Sequence, residues 1–194
     1  MPSPVGHSLV GYLVARQVFG TNRLLCRPTL ICVAVGNLPD LDFIPGALAG
    51  QPNLYHHAVS HSIGFGLLAC GLLATVFAGT LGLRRLACFA LFFVLYGSHL
   101  FLDYLSASGR EPFGIPAFWP LSDRYFISPI PVLPGVAHSS LHDASIAQFL
   151  ESALSLYNLR VILIEILVVS SIVILNRFIL SLFKIIRIKT TGCR

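Results

Sequence analysis

His99 and Asp103 stand four residues apart inside an apolar run. On a helix that spacing puts an imidazole and a carboxylate on one face, a turn apart. So placed, they can grip one divalent ion or hydrogen-bond each other between packed helices. An ionisable pair at membrane depth is expensive and marks a functional site by default. A second chemically active stretch is Asn37-Leu38-Pro39-Asp40-Leu41-Asp42. Pro39 discourages a helix through this point. Two aspartates then flank a tight bend, where they suit a hard or borderline cation or cap a solvated turn. A third stretch runs from His56 through His57 and Ser60 to His61 and Ser62. His57 and His61 have the spacing of zinc ligands on a helix. His56 and His61 converge instead if the helix begins near Ser60, with Ser60 or Ser62 as its cap. His7, near the start of the first apolar run, is a structural histidine when taken alone.

Together the seven candidate metal ligands are His7, Asp40, Asp42, His56, His61, His99 and Asp103, drawn from four segments of the chain. Mixed histidine and carboxylate ligands favour zinc, with manganese or iron as alternatives, over magnesium or calcium. More than four ligands leaves room for one ion or two, and a two-metal site suits phosphate ester hydrolysis. A bound ion lowers the pKa of water towards ~7, and Asp40 or Asp42 is the candidate catalytic base. Arg110 and Arg124 are candidate substrate-binding residues that can hold a phosphate by paired hydrogen bonds, or simply contact lipid headgroups. His138, His142 and Asp143 have helical spacing and form either an accessory site or the solvated face of a helix.

The elements that must position these residues belong to a membrane protein. Of 194 residues, 55% are hydrophobic and 11% charged, against about 25% charged in a soluble domain. Runs at about 62–83, 86–105 and 161–183 approach the ~20 residues that a ~30 Å hydrocarbon core requires. Two shorter runs, about 5–19 and 28–38, read as tilted short spans, half-spans or packed helices. The fold expected is all-α, a polytopic bundle of about five hydrophobic helices with a metal cluster at one end. Arg16, Arg23, Arg27, Arg84, Arg85, Lys184, Arg187, Lys189 and Arg194 fall on one side if the chain crosses five times. By the positive-inside rule that side is cytoplasmic, the C-terminus with it, and the cluster is expected on the other face.

Residues 1–158 form the expected hydrolase-like membrane domain, including a Pro-rich extracytoplasmic loop over 106–158 that ends in an amphipathic helix near 139–156. Residues 159–194 form a terminal span and a basic tail. Glu165, within that span, is expected to meet Arg160 or to reach outward. The five cysteines are scattered without a CxxC pair and read as small packing residues. The net charge of +5 is explained by orientation, so no nucleic acid partner is expected.

The order of these motifs, His7, then Leu38-Pro39-Asp40-Leu41-Asp42, then His56 with Ser60-His61-Ser62, then His99 to Asp103, followed by Ser106, Gly109, Pro112 and Trp119-Pro120-Leu121-Ser122, resembles the YdjM-like family of membrane-bound metal-dependent hydrolases. The resemblance covers about residues 5–126. It implies a distant likeness to zinc-dependent phospholipases C and single-strand nucleases, and hence phosphoester hydrolysis, of a phosphate-containing lipid or of a small molecule. That the membrane is a prokaryotic cytoplasmic one is implied only by this resemblance. One position departs from the family pattern, which commonly has arginine after the first histidine of the third motif. Here it is His57, so the ligand is His56 or His57. The competing expectation is a non-enzymatic metal-binding membrane protein: a carrier, a sensor, or an interaction protein with a structural metal. The absence of an HExxH sequence ranks an intramembrane metalloprotease low.

Overall fold

The structure is a computed structural model that describes residues 1–107, 111–137 and 145–171. Helix α1 (Pro4–Phe19) starts where the Ser3 side chain accepts the Gly6 N–H and Pro4 fills the first turn. It stops at Gly20, whose φ of 65° a residue without a side chain adopts readily. Helix α2 (Arg27–Gly36) packs tightly on α1. A side chain at Gly11 would stand 2.8 Å from Val33 Cα, so only glycine permits this approach.

Beyond α2 the chain breaks at Pro39, bends by 62°, and continues as a 3-10 turn (Pro39–Asp42) and the short α3 (Phe43–Leu48). A second 3-10 turn (Val59–His61) leads into α4 (Ile63–Leu81), capped by the Ser62 hydroxyl on the Phe65 N–H at 3.1 Å. Gly82 ends α4, and α5 (Arg85–Leu105) returns against it. Tyr96, Phe92 and Leu95 of α5 are fully buried. Leu68, Leu72 and Val76 of α4 stand exposed, as a lipid-facing surface requires.

The Pro-rich segment is fastened over the outer end of this hairpin. The Ile63 N–H donates to the Ala117 carbonyl at 2.9 Å, and Ser128 N–H donates to the Tyr104 carbonyl at 2.8 Å. Gly64 leaves room for the Trp119 carbonyl, which a side chain there would meet at 2.5 Å. Two isolated bridges, Ser106 with Leu133 and Ile115 with Phe126, are the nearest approach to a strand among the described residues. Helix α6 (Ile146–Ala153) begins with a Ser145–Gln148 capping box, later than the helix expected from residue 139, and residues 138–144 lie outside the described part. Helix α7 is described over Leu156–Ser171 and meets α6 at 53°.

The protein is therefore all-helical. Helices α4 and α5 are long and apolar enough to cross a membrane, and the bent pairs α2–α3 and α6–α7 raise the count to four if each is one span. The candidate spans among the described residues thus number two to four; α1, with 16 residues, is shorter than such a span, and the last apolar run continues past the described residues. Among the described residues, Arg16, Arg23, Arg27, Arg84 and Arg85 lie at the α1–α2 and α4–α5 turns, the ends away from His7, Asp40, His61 and Asp103.

Candidate metal centre

The break after α2 brings Asp40 under the outer end of the α4–α5 hairpin, and the first turns of α1 bring His7 to the same place. Four atoms, His61 Nε2, His99 Nε2, Asp40 Oδ1 and Asp103 Oδ2, form a ring. Each nitrogen faces both oxygens: His99 at 3.4 and 3.2 Å, His61 at 3.5 and 3.5 Å from Asp40 and Asp103. His7 Nε2 stands 3.7 Å from the other Asp103 oxygen. Its ring stacks on that of His99 with centroids 3.7 Å apart. His7, His61, His99 and Asp103 are all buried. Asp40, with 10% of its side chain exposed, is the most open of the five.

The donor set fits a divalent cation. His7 Nδ1 and Nε2, both oxygens of Asp40 and of Asp103, and the Nε2 atoms of His57, His61 and His99 are buried without a hydrogen-bond partner. Buried polar atoms left without partners are rare, and a cluster of them calls for an ion or water. Two ligands each about 2.1 Å from a tetrahedral zinc stand about 3.4 Å apart, which is the spacing of the ring. Three groups of three could hold an ion: His7 with Asp40 and His99, Asp40 with His56 and His61, and His57 with His61 and Asp103.

Outside the ring, hydrogen bonds aim the ligands. His99 donates its Nδ1–H to the Gly36 carbonyl at the end of α2, 2.8 Å away, which turns Nε2 inward. Asp42 accepts four donors: His56 Nδ1 at 2.9 Å, His57 N–H at 3.1 Å, the Ser60 hydroxyl at 2.9 Å and His61 Nδ1 at 3.0 Å. Asp42 thus ties the whole 56–61 segment to the 3-10 turn and aims His61 Nε2 at the ring. Burial disfavours the charged form of His61, but Asp40, Asp42 and Asp103 outweigh it and raise its pKa to about 9. His56 and His57 are held below the usual histidine value by burial.

Of the two alternatives for this segment, a helix carrying both His57 and His61 is not formed, and the helix begins at Ile63, close to the start near Ser60 that the other alternative requires. His61 ends a 3-10 turn, and His57 sits in a preceding turn with φ of 63°. Both still point inward, because the chain reverses between them; their ring centroids are 4.8 Å apart. The cap of α4 is Ser62, while Ser60 serves Asp42. His56 stacks on Phe43 with centroids 3.8 Å apart, and its Nε2 faces Met1 Sδ. Arg124 is exposed and joins none of the ion pairs of the cluster. Arg110, His138, His142 and Asp143 lie outside the described residues.

Glu165 departs from expectation. It is buried and meets neither Arg160 nor solvent: one carboxylate oxygen accepts the Ser3 N–H at 2.7 Å and the other the Ser3 hydroxyl. The contact joins α7 to the start of α1, one turn before His7. A serine near the N-terminus and a glutamate in an apolar run carry no shared local pattern, so spacing does not reveal such a pair.

These features define a class: an all-helical integral membrane protein with a buried histidine–aspartate cluster, able to hold metal, at one end of its bundle. The chain belongs to the YdjM inner membrane protein family, whose model matches residues 1–181. The match extends beyond the motifs to include α7. No curated protein and no solved structure matches the chain.

Proposed function

We propose that the protein is a membrane-bound, metal-dependent hydrolase of phosphoesters, working at the extracytoplasmic face of the bilayer. The observation that carries the reading is the convergence of buried, unpartnered ring nitrogens and carboxylate oxygens from α1, the Pro39–Asp42 turn, the Val59–His61 turn and α5. His7, Asp40, His61, His99 and Asp103 would hold one divalent ion or two, zinc by the chemistry of the set. When bound, such an ion acidifies water and neutralises charge on a phosphoryl group. Asp42 positions His61 through its Nδ1 and leaves the other ring nitrogen for the metal. Asp40 faces the ring through Oδ1, and its Oδ2, which accepts no hydrogen bond, is the candidate base, whereas Asp42 already accepts four. Arg124, exposed on the Pro-rich segment, is the candidate to hold a phosphate by paired hydrogen bonds. Lipid-linked and small soluble phosphoesters share this chemistry.

One observation favours a second reading. The ring is nearly closed to solvent, and structural metal sites are closed where catalytic ones keep an open position. A protein that holds metal without hydrolysis has the same cluster. Detergent-purified wild type and Asp103→Ala, analysed by metal mass spectrometry and by a phosphomonoester and phosphodiester screen, separate the possibilities. Metal and activity lost together in a folded variant support the hydrolase. Metal held by a wild type that cleaves nothing, and lost from the folded variant, supports the non-enzymatic reading, and equal metal in both proteins refutes the centre.

A further inference from the structure

Four observations give His57 a role. Its backbone has φ of 63°, a left-handed conformation uncommon for any residue but glycine. Such strain concentrates at functional sites, where surrounding contacts hold it. Here the contact is its own N–H, donated to Asp42 at 3.1 Å. The side chain is 9% exposed, and its Nε2 is buried without a hydrogen-bond partner. One of its ligand atoms lies within 4.8 Å of ligand atoms of both His61 and Asp103, which in turn are within that distance of each other.

We infer that His57 is a metal ligand and creates a second cation position, between His57, His61 and Asp103, beside one between His7, Asp40 and His99. The inference rests on the proposed metal centre and sets its count at two. These two triads share no residue, and each offers two imidazoles and one carboxylate. The third possible group, Asp40 with His56 and His61, overlaps both. It also requires His56, whose ring nitrogens already face Asp42 and Met1. Across the triads, Asp40 stands 3.5 Å from His61 Nε2, and Asp103 stands 3.7 Å from His7 Nε2 and 3.2 Å from His99 Nε2. Asp103 turns one oxygen to His7 and the other to His61 and His99, and Asp40 Oδ1 faces both His61 and His99, so each carboxylate would offset charge in both triads. Paired ions are the arrangement that clamps both the entering and leaving oxygens of a phosphoester. His57 would therefore supply the imidazole that completes the second triad.

The test is metal stoichiometry of the full chain in detergent, loaded with zinc, dialysed, and measured by mass spectrometry against protein concentration. His57→Gly is the variant of choice, because glycine relieves the left-handed strain and deletes the imidazole. Thermal unfolding of both zinc-free proteins checks that the variant folds. If His57→Gly does not fold, His57→Asn, whose side chain tolerates this backbone, is read in its place. Two zinc ions per chain in wild type and one in the variant are expected. One ion in each, or two in each, overturns the role of His57 and leaves the metal centre standing. No zinc in the wild type overturns both.

Discussion

Replacing Asp42 by alanine tests whether this carboxylate orients the centre or belongs to it. The substitution removes the one acceptor shared by His56, His57, Ser60 and His61. Losing the partner that orients a metal-binding histidine costs 10–100-fold in affinity, roughly 1.4–2.8 kcal/mol. The expected result is zinc bound at unchanged stoichiometry but 10–100-fold more weakly, read by competition with a chelator of known affinity. A pH series adds a second, independent signature. In the metal-free protein His61 has a pKa of about 9, so below that pH zinc must displace its proton. Apparent affinity should fall by about tenfold per pH unit on the acid side. Asp42 is one of the groups that raise the His61 pKa, so in Asp42→Ala the onset of this fall moves to lower pH. Zinc bound as tightly as in wild type, with the same pH onset, refutes the orienting role. A folded variant that takes up one zinc fewer at saturation shows instead that Asp42 is itself a ligand.

Two packing predictions accompany it. A methyl group at Gly66 would stand 2.6 Å from the ring of Tyr96, which is fully buried and donates its hydroxyl to the Ser60 carbonyl. Gly66→Ala should therefore cost about 1–3 kcal/mol by overpacking; an unchanged unfolding temperature in detergent would contradict the close approach. Glu165→Ala leaves the Ser3 N–H and hydroxyl without their acceptor, at about 1–3 kcal/mol for each buried group. It should lower the unfolding temperature more than Glu165→Gln, which keeps one acceptor oxygen, and a variant as stable as wild type would show that the α1–α7 contact contributes nothing.

What could be read from the sequence divides along physical lines. The His99–Asp103 pair was legible because helix geometry converts a spacing of four into proximity, and their atoms stand 3.2 Å apart. His61 was legible because the Arg84–Arg85 turn folds α4 back on α5 and sets its height. The break at Pro39 followed from the missing N–H and fixed φ of proline. The path through His56 and His57 was not legible, since a single residue at positive φ reverses a chain without altering its hydrophobic pattern. The pairing of Ser3 with Glu165 spans 162 residues, and the position of Ser3 depends on how α1 leans on α2, which no local period encodes. The number of crossings was not legible for a related reason: apolar content identifies short segments as buried, but burial against protein and burial in lipid look alike in composition.

The Gly36 carbonyl that receives the His99 Nδ1–H belongs to the main chain. Every amino acid carries that oxygen, so point substitution at residue 36 does not delete the acceptor; it acts only through space, and an added Cβ there meets its nearest atom, the His7 carbonyl oxygen, at 3.5 Å. The contact is instead vulnerable to length. One residue inserted into α2 would rotate its last turn by about 100° and advance it by about 1.5 Å, carrying the carbonyl away from the imidazole. A library of point variants would score residue 36 as tolerant to small replacements, while a library of single-residue insertions and deletions along α2 would find it among the most sensitive segments of the chain.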